Sequence, residues 1–415
     1  MNNKKLNKKN VVFSLMIAFV LLCGSCSGTQ NTQNTLAEVE NISVPENKTH
    51  DDYLSDAPEK PTPEEAETYI EGLVNQMSLE EKIYQLFFTV PEDITGVGCV
   101  VAAGDATKKA LAECPVGGII YFSSNFESRE QTSEMIANTQ SYSPLPLFIA
   151  VDEEGGVVSR LGSNPAMEIT QQPPMMEIGE TKDVSEAYNV GKQLATDLKS
   201  LGFNVDFAPV ADVLINTDNV EIGNRSFGTD PNLVGEMVAN VVKGLEKNGI
   251  SSTLKHFPGH GSTTVDSHTG YSASTRTKEE LRNNEFIPFK MGIDAGADFI
   301  MISGMTLVNA TDEKVPCSLS KEVVTDMLIN ELGYKGIIIT DSFKMGTITE
   351  QYASGDAAVK AILAGVDMIL MPENLAEAHA ALITAVQNET ITENRIDLSV
   401  KKILLKKLEN GILAK

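Results

Sequence analysis

The sequence predicts an α/β protein whose single domain, residues 63–415, folds as a (β/α)8 barrel. Three observations lead to this fold class. Eight short runs are almost continuously apolar, which is typical of strands buried on both faces of a parallel sheet. Amphipathic helical patterns separate the runs, and glycines follow several of these patterns, where helices commonly end. The eight runs are residues 82–90, 116–122, 147–152, 203–210, 250–257, 297–303, 336–341 and 366–372.

Helical periodicity is clearest in four segments between the apolar runs. Apolar residues recur every three or four positions in each, as expected of helices that pack one face against a sheet. The segments are residues 185–201, 232–248, 278–295 and 321–332, followed by Gly202, Gly249, Gly296 and Gly333. A final helix is predicted around residues 392–410. A doubly wound open sheet is the main alternative, but no G-x-G-x-x-G motif follows the first strand.

The first 25 residues have the order of an export signal. Four lysines and no acid precede a mostly apolar stretch at residues 11–22, and small residues follow it. Cys26, directly after Gly24 and Ser25, is similar to the lipidated cysteine of a bacterial lipobox. The pattern predicts an exported protein held on a cell membrane, outside the cytoplasm, by a lipid on Cys26. Cleavage with free secretion is the alternative.

Composition indicates a flexible segment and argues against nucleic-acid partners and disulfide bonds. Residues 26–62 are polar and poor in large apolar side chains, so we expect a flexible tether. The formal net charge of −24 argues against binding to nucleic acid. The five cysteines are irregularly spaced, which argues against a disulfide framework.

Polar residues follow several of the predicted strands. Asp152 ends the third run, Lys255 and His256 end the fifth, and Asp341 ends the seventh. Arg225 lies in the connection after the fourth run. In (β/α)8 barrels the chemistry lies at the carboxyl ends of the strands. Because burying unpaired charge is costly, several charged residues at these converging ends indicate a functional site.

Residues 255–268 contain three of the five histidines together with Asp266. A carboxylate beside an imidazole fixes its tautomer, so Asp266 and His268 form a candidate acid/base pair. Alternatively, His256, His260 and His268 bind a metal with Asp266, as in a metal-dependent barrel hydrolase. The Pro- and Gly-rich loop does not supply the helix that an H-E-x-x-H site needs. We therefore expect neither a metal nor another cofactor, and we assign no catalytic role to His260.

Six motifs resemble glycoside hydrolase family 3, specifically the bacterial β-N-acetylglucosaminidases of the NagZ type. The strongest is K-H-F-P-G-H-G followed by D-S-H, because the β-glucosidases of the family lack the D-S-H loop. The resemblance covers roughly residues 65–410. The motifs lie at residues 151–156, 206–213, 222–228, 255–261, 266–268 and 340–345.

The resemblance implies a retaining glycosidase that removes terminal β-linked N-acetylglucosamine, with amino-sugar glycans or muropeptide fragments of the cell wall as substrates. Asp341 would attack the anomeric carbon and form a covalent glycosyl-enzyme. His268, oriented by Asp266, would protonate the leaving oxygen and later activate water. A histidine acid/base would avoid repulsion from the anionic lactyl group of N-acetylmuramic acid.

The matched motifs also imply sugar-binding residues, which are Asp152, Arg160, Arg225, Lys255 and His256. For the two arginines, an ordinary salt bridge is the alternative role. The sequence departs from the family pattern at three positions, Met305, Ser272 and Asn224. Met305 stands near a position where the family often has histidine, and Ser272 alters the D-S-H loop.

The sequence is also compatible with several alternative functions. A phosphorolytic enzyme would use phosphate in place of water, and a β-glucosidase-type member would prefer a sugar without the N-acetyl group. A metal-dependent barrel hydrolase would use the histidine cluster. A non-catalytic lipoprotein that binds cell-wall sugars is disfavoured, because a binding protein has no need of a nucleophile.

Overall fold

The computed structural model describes residues 61–263 and 272–413. Eight parallel strands form its centre, each inside one of the predicted apolar runs. They are β1 (Phe87–Thr89), β2 (Gly118–Ile120), β3 (Phe148–Val151), β4 (Val205–Asp206), β5 (Ser251–Phe257), β6 (Phe299–Ile302), β7 (Ile337–Thr340) and β8 (Ile369–Leu370).

The strands close into a ring. Their hydrogen-bonded order is β7-β6-β5-β4-β3-β2-β1-β8. Ile339 of β7 pairs in parallel with Met368, immediately before β8, and the Thr340 N–H donates to the Met368 carbonyl at 3.1 Å. The predicted (β/α)8 barrel is therefore confirmed.

Side chains from alternate strand positions fill the barrel interior. Residues two apart on a strand point to the same face, and Phe148 with Ala150 and Phe299 with Met301 are such interior pairs. The intervening residues, such as Ile149 and Ile300, face the surrounding helices and belong to a second, larger apolar cluster. Both faces of the sheet are thus buried, which accounts for the nearly continuous apolar runs.

Helices surround the strands, and several of them begin at favourable capping residues. Thr62, Ser78 and Thr277 each accept from the N–H of a glutamate three residues later, whose side chain accepts from the capping residue's N–H. The α-helices are Pro63–Gln76, Leu79–Tyr84, Pro91–Thr95, Asp105–Glu113, Arg129–Tyr142, Met175–Thr181, Val184–Leu201, Pro231–Glu246, Lys278–Asn283, Phe286–Ala295, Gly346–Thr349, Ser354–Ala364, Leu375–Gln387 and Glu393–Glu409, and Glu322–Glu331 is a π-helix.

Two small sheets lie outside the barrel. An antiparallel hairpin directly after β3 pairs Glu153–Gly155 with Val158–Ser159. A parallel pair joins Ala273–Ser274 to Thr306–Leu307.

The single helix predicted over residues 278–295 is wrong, because the structure has two helices there. The first ends at Asn283 and the second starts at Phe286. Pro288 lies in the first turn of the second helix. In one continuous helix its ring would clash with the carbonyl of Asn284, and its missing N–H would leave that carbonyl without a partner. A break before Phe286 removes both costs.

The last helix, Glu393–Glu409, buries a lysine against the barrel. Lys407 is completely buried, and its Nζ donates to Gln85 Oε1 at 3.0 Å and lies 5.2 Å from the centre of the Phe148 ring. No carboxylate among the described residues pairs with it. Burial lowers the pKa of Lys407 to about 7.

This lysine predicts a pH dependence of stability. Above about pH 7 the folded chain loses a proton that the unfolded chain, with an ordinary pKa of 10.5, keeps. The free energy of unfolding therefore gains a contribution that rises with pH in this window. We expect the difference in unfolding free energy between wild type and Lys407→Met to change by about 1.4 kcal/mol per pH unit near pH 8 to 9, measured by urea denaturation.

The exposed Lys335 supplies the control for this measurement. Lys335→Met should shift stability by a small amount that does not vary with pH. A Lys407→Met difference that stays constant across this window would contradict the assignment.

The predicted signal peptide at residues 1–25, the lipidation site Cys26 and the tether up to residue 60 lie outside the described residues and stay predictions. Within residues 61–263 and 272–413, no helix combines the length and the hydropathy needed to cross a bilayer.

Candidate active site

A cavity of about 370 Å³ opens at the carboxyl ends of the barrel strands. It has the size of a small-ligand pocket. Asp341 lines it, together with all five residues predicted to bind sugar. These are Asp152, Arg160, Arg225, Lys255 and His256. The closed barrel brings them together from positions almost 190 residues apart in the chain, because each follows or ends a parallel strand.

Glu154 is the centre of a charge network in the cavity wall. Its two oxygens accept from Arg225 Nε and Nη2, both at 2.8 Å, and Lys255 Nζ lies 2.6 Å from Oε1. Lys255 also donates to Asp152 Oδ1 at 2.8 Å. Burial opposes ionisation of Glu154, but the charges of Arg225 and Lys255 outweigh it and hold its pKa far below the ordinary value.

Burial likewise opposes the charged form of Lys255, but Asp152 and Glu154 raise its pKa. Lys255 therefore remains a cation inside the wall. Arg225 forms a salt bridge with Glu154, which was the alternative role considered for it, and Arg225 also lines the cavity. The network fixes the direction of both cations.

Arg160 is less firmly held than Arg225. Its Nη2 lies 3.8 Å from Asp152 Oδ2, and its guanidinium sits 5.7 Å from the centre of the Phe122 ring. The buried Nε has no hydrogen-bond partner among the described residues. Arg160 can therefore turn a free N–H towards a ligand in the cavity.

Asp341 directly follows β7. Its N–H donates to the Ile302 carbonyl at 2.8 Å, which ties it to β6, and its Oδ1 accepts from the Ser342 N–H at 2.7 Å. Three residues on, Lys344 Nζ donates to Asp93 Oδ1 at 2.6 Å and joins this loop to the helix after β1. The carboxylate is thus anchored through one oxygen and faces the cavity.

His256 is held by a buried carboxylate, Asp212. His256 Nδ1 lies 2.7 Å from Asp212 Oδ2, and the His256 N–H lies 3.2 Å from both oxygens. The His260 N–H donates to Oδ1 at 2.5 Å. Burial raises the cost of charging Asp212, but His256 and His260 outweigh this and lower its pKa.

The acid/base residues predicted from the D-S-H motif, Asp266 and His268, lie outside the described residues. The chain on either side of them is tied together beside the barrel. Ser262 Oγ and Ser274 Oγ are 2.8 Å apart, and the Ser272 carbonyl accepts from the Thr306 N–H at 2.9 Å. The departure at Ser272 therefore stands at one of these ties.

The remaining predicted positions also have defined surroundings. Met305 is completely buried in the larger apolar cluster, and Asn224 is exposed. His260 is buried, with Nδ1 3.0 Å from Thr263 Oγ1. Within the described part of the chain, no three His, Cys, Asp or Glu side chains are grouped in a way that would hold a metal ion.

Sequence reasoning did not single out Glu154 or Asp212, although both lie inside motifs that it quoted. A signal was available. Asp212 lies between two apolar residues just after a predicted strand, in FAPVADV, and Glu154 lies two residues after another predicted strand, in VDEEGG. Such a carboxylate is buried with the strand and needs cations or N–H donors as partners.

Comparison with known proteins agrees with this geometry. The domain described as Glycosyl hydrolase family 3 N terminal domain matches residues 78–405. Beta-hexosaminidase A of Pseudoalteromonas piscicida is 33% identical over 321 residues, which are 71% of this chain and 53% of that protein. Beta-hexosaminidase of Stenotrophomonas maltophilia (strain R551-3) is 35% identical over 273 residues, 63% of this chain and 78% of that protein.

Among solved structures, a family 3 β-N-acetylglucosaminidase from Paenibacillus sp. str. FPU-7 superposes with a TM-score of 0.77 at 34% identity, covering 82% of this chain and 64% of that one. The chain thus spans about half the length of the Pseudoalteromonas relative and less than two thirds of the Paenibacillus structure. The matched domain includes every strand of the barrel and every described residue that lines the cavity. The chain therefore belongs to glycoside hydrolase family 3.

Proposed function

We propose that this protein hydrolyses terminal β-linked N-acetylglucosamine from cell-wall glycan fragments, with retention of configuration. One observation carries the proposal: a carboxylate at the end of β7, Asp341, faces a cavity of about 370 Å³ whose wall holds fixed cations and carboxylates. The relatives named beta-hexosaminidase and β-N-acetylglucosaminidase support the choice of sugar.

In the first step, Asp341 attacks the anomeric carbon. The carboxylate oxygen forms the new C–O bond while the bond to the leaving oxygen breaks, and that oxygen takes a proton from the acid. The Ser342 N–H on Oδ1 leaves the other oxygen of Asp341 available for attack. In the second step, water replaces Asp341 at the same carbon, which restores the original configuration.

The proton would be supplied by His268, oriented by Asp266. This part of the proposal rests on the D-S-H motif. A pair of this kind donates a proton in the first step and accepts one from water in the second.

The charge network would bind the sugar ring. Asp152 accepts hydrogen bonds from hydroxyl groups, while Lys255 and Arg160 donate them. Because Glu154 fixes Lys255 before the substrate arrives, little ordering of that side chain is needed on binding. The charged groups clustered on one part of the cavity wall favour a polar ligand with many hydroxyls.

The test compares an aryl N-acetyl-β-glucosaminide with the matching aryl β-glucoside, each with and without inorganic phosphate. We expect strong preference for the N-acetyl sugar, free N-acetylglucosamine as product, and rates that do not depend on phosphate or on a strong chelator. Preference for the glucoside would contradict the proposed substrate. A sugar 1-phosphate product would identify a phosphorylase, and loss of activity with the chelator would favour the metal-dependent alternative.

A further inference from the structure

Asp212 is fully buried behind the cavity wall and is not used in the chemical steps above. Among the described residues, the groups that contact its carboxylate are all N–H groups: the backbone N–H of His256, the backbone N–H of His260 and the Nδ1 of His256. An ionised carboxylate can only accept hydrogen bonds. Nδ1 of His256 must therefore carry a hydrogen and point it at Asp212.

The other ring nitrogen, Nε2, is then the polar atom that His256 offers to the cavity. His256 lines the cavity, and its side chain is only 10% exposed. The hydrogen bonds of His256 to described residues involve its backbone N–H and Nδ1, and none involves Nε2. With Nδ1 occupied, the ring cannot flip without losing its 2.7 Å contact to Asp212.

We propose that Asp212 is a positioning residue that locks the His256 imidazole so that Nε2 bonds one hydroxyl group of the terminal sugar. This inference rests on the proposed function. Asp212 acts entirely through His256 and does not touch the substrate. The buried carboxylate thereby determines how a sugar-binding group is oriented.

The test is a double-mutant cycle on kcat/KM with the aryl N-acetyl-β-glucosaminide. In Asp212→Asn, one end of the amide is a donor facing other donors, so the imidazole loses its fixed orientation. We expect about a 10- to 100-fold loss in the wild-type background, the range for a hydrogen bond to a charged group. In the His256→Ala background the same change should cost less than about twofold.

Asp298→Asn is the matched control, because Asp298 is a buried aspartate at the opposite end of the barrel. The loss of kcat/KM caused by Asp298→Asn should be the same in the wild-type and His256→Ala backgrounds. An Asp212→Asn loss of equal size with and without His256 would overturn the proposal, because Asp212 would then act independently of the imidazole. Wild-type activity in Asp212→Asn would overturn it too.

A second measurement does not depend on activity or on folding of the Asp212 variant. In wild type, proton NMR should show a strongly downfield Nδ1–H resonance that disappears in His256→Ala. Its absence from the folded wild type would overturn the proposed pairing. If wild type cleaves no glycoside, the proposed function fails, whereas a cleaving wild type without this resonance defeats the positioning role alone.

Discussion

Replacing Asp341 by Asn is expected to lower kcat for an aryl N-acetyl-β-glucosaminide by about 10⁶-fold, the scale seen when a catalytic nucleophile is removed. The amide has nearly the same size as the carboxylate, but it is a far weaker nucleophile. It still accepts from the Ser342 N–H, so the loop after β7 should keep its conformation. Steady-state kinetics with a pre-activated leaving group, together with an unchanged unfolding midpoint, would check both expectations.

Asp93→Asn is the control for this substitution. Asp93 lies in the helix after β1 and forms an ion pair with Lys344, and Lys344 lines the cavity. A partly exposed ion pair contributes about 0.2–1 kcal/mol, so the activity should fall by no more than several fold. If Asp341→Asn kept more than a few per cent of the activity, Asp341 would not be the nucleophile.

Glu154→Gln is expected to have the second largest effect, on both stability and activity. The substitution removes the negative charge between two buried cations, Arg225 and Lys255. Removing one partner of a buried ion pair costs about 3–5 kcal/mol, because the remaining charge stays buried. Asp152 still pairs with Lys255 and limits the loss. Urea denaturation should therefore show a reduction in the free energy of unfolding towards the lower end of this range.

The activity of Glu154→Gln should fall as well. Lys255 loses its 2.6 Å partner, and a misplacement of about 1 Å in such a group costs on the order of 100-fold in rate. Asp367→Asn is the matched control, because Asp367 is buried and pairs with Lys402 at the opposite end of the barrel. That change should lower stability without lowering kcat/KM at temperatures where the variant is folded. Unchanged kcat/KM in Glu154→Gln would contradict the positioning of Lys255.

Much of the fold could be predicted because the pattern of apolar residues is governed by burial on both faces of the sheet. Runs such as residues 336–341 have only one stable environment, a central parallel strand. The break between Asn283 and Phe286 was missed, since the apolar periodicity continues across it. Pro288 disfavours a continuous helix through its clash with the Asn284 carbonyl and its missing N–H, and the apolar periodicity does not reflect either effect.

The sequence singled out residues that line the cavity at the strand ends, whereas it did not single out the carboxylates that pair with them. Asp152, Lys255 and Asp341 end predicted strands, and the barrel brings such ends together. Glu154 and Asp212 act by pairing with residues far away in the chain, and pairings between distant residues are not visible in one sequence. Lys407 was also missed, although it lies three residues after Leu404 on the buried stripe of its helix.

The proposed mechanism requires that Asp341 form a covalent bond to the sugar. The most direct measurement incubates the protein with a 5-fluoro glycosyl fluoride of N-acetylglucosamine, which slows the second step, and then maps the modified peptide by mass spectrometry. We expect one sugar per chain, attached at Asp341. A sugar attached to another carboxylate while Asp341 stays unmodified would contradict it.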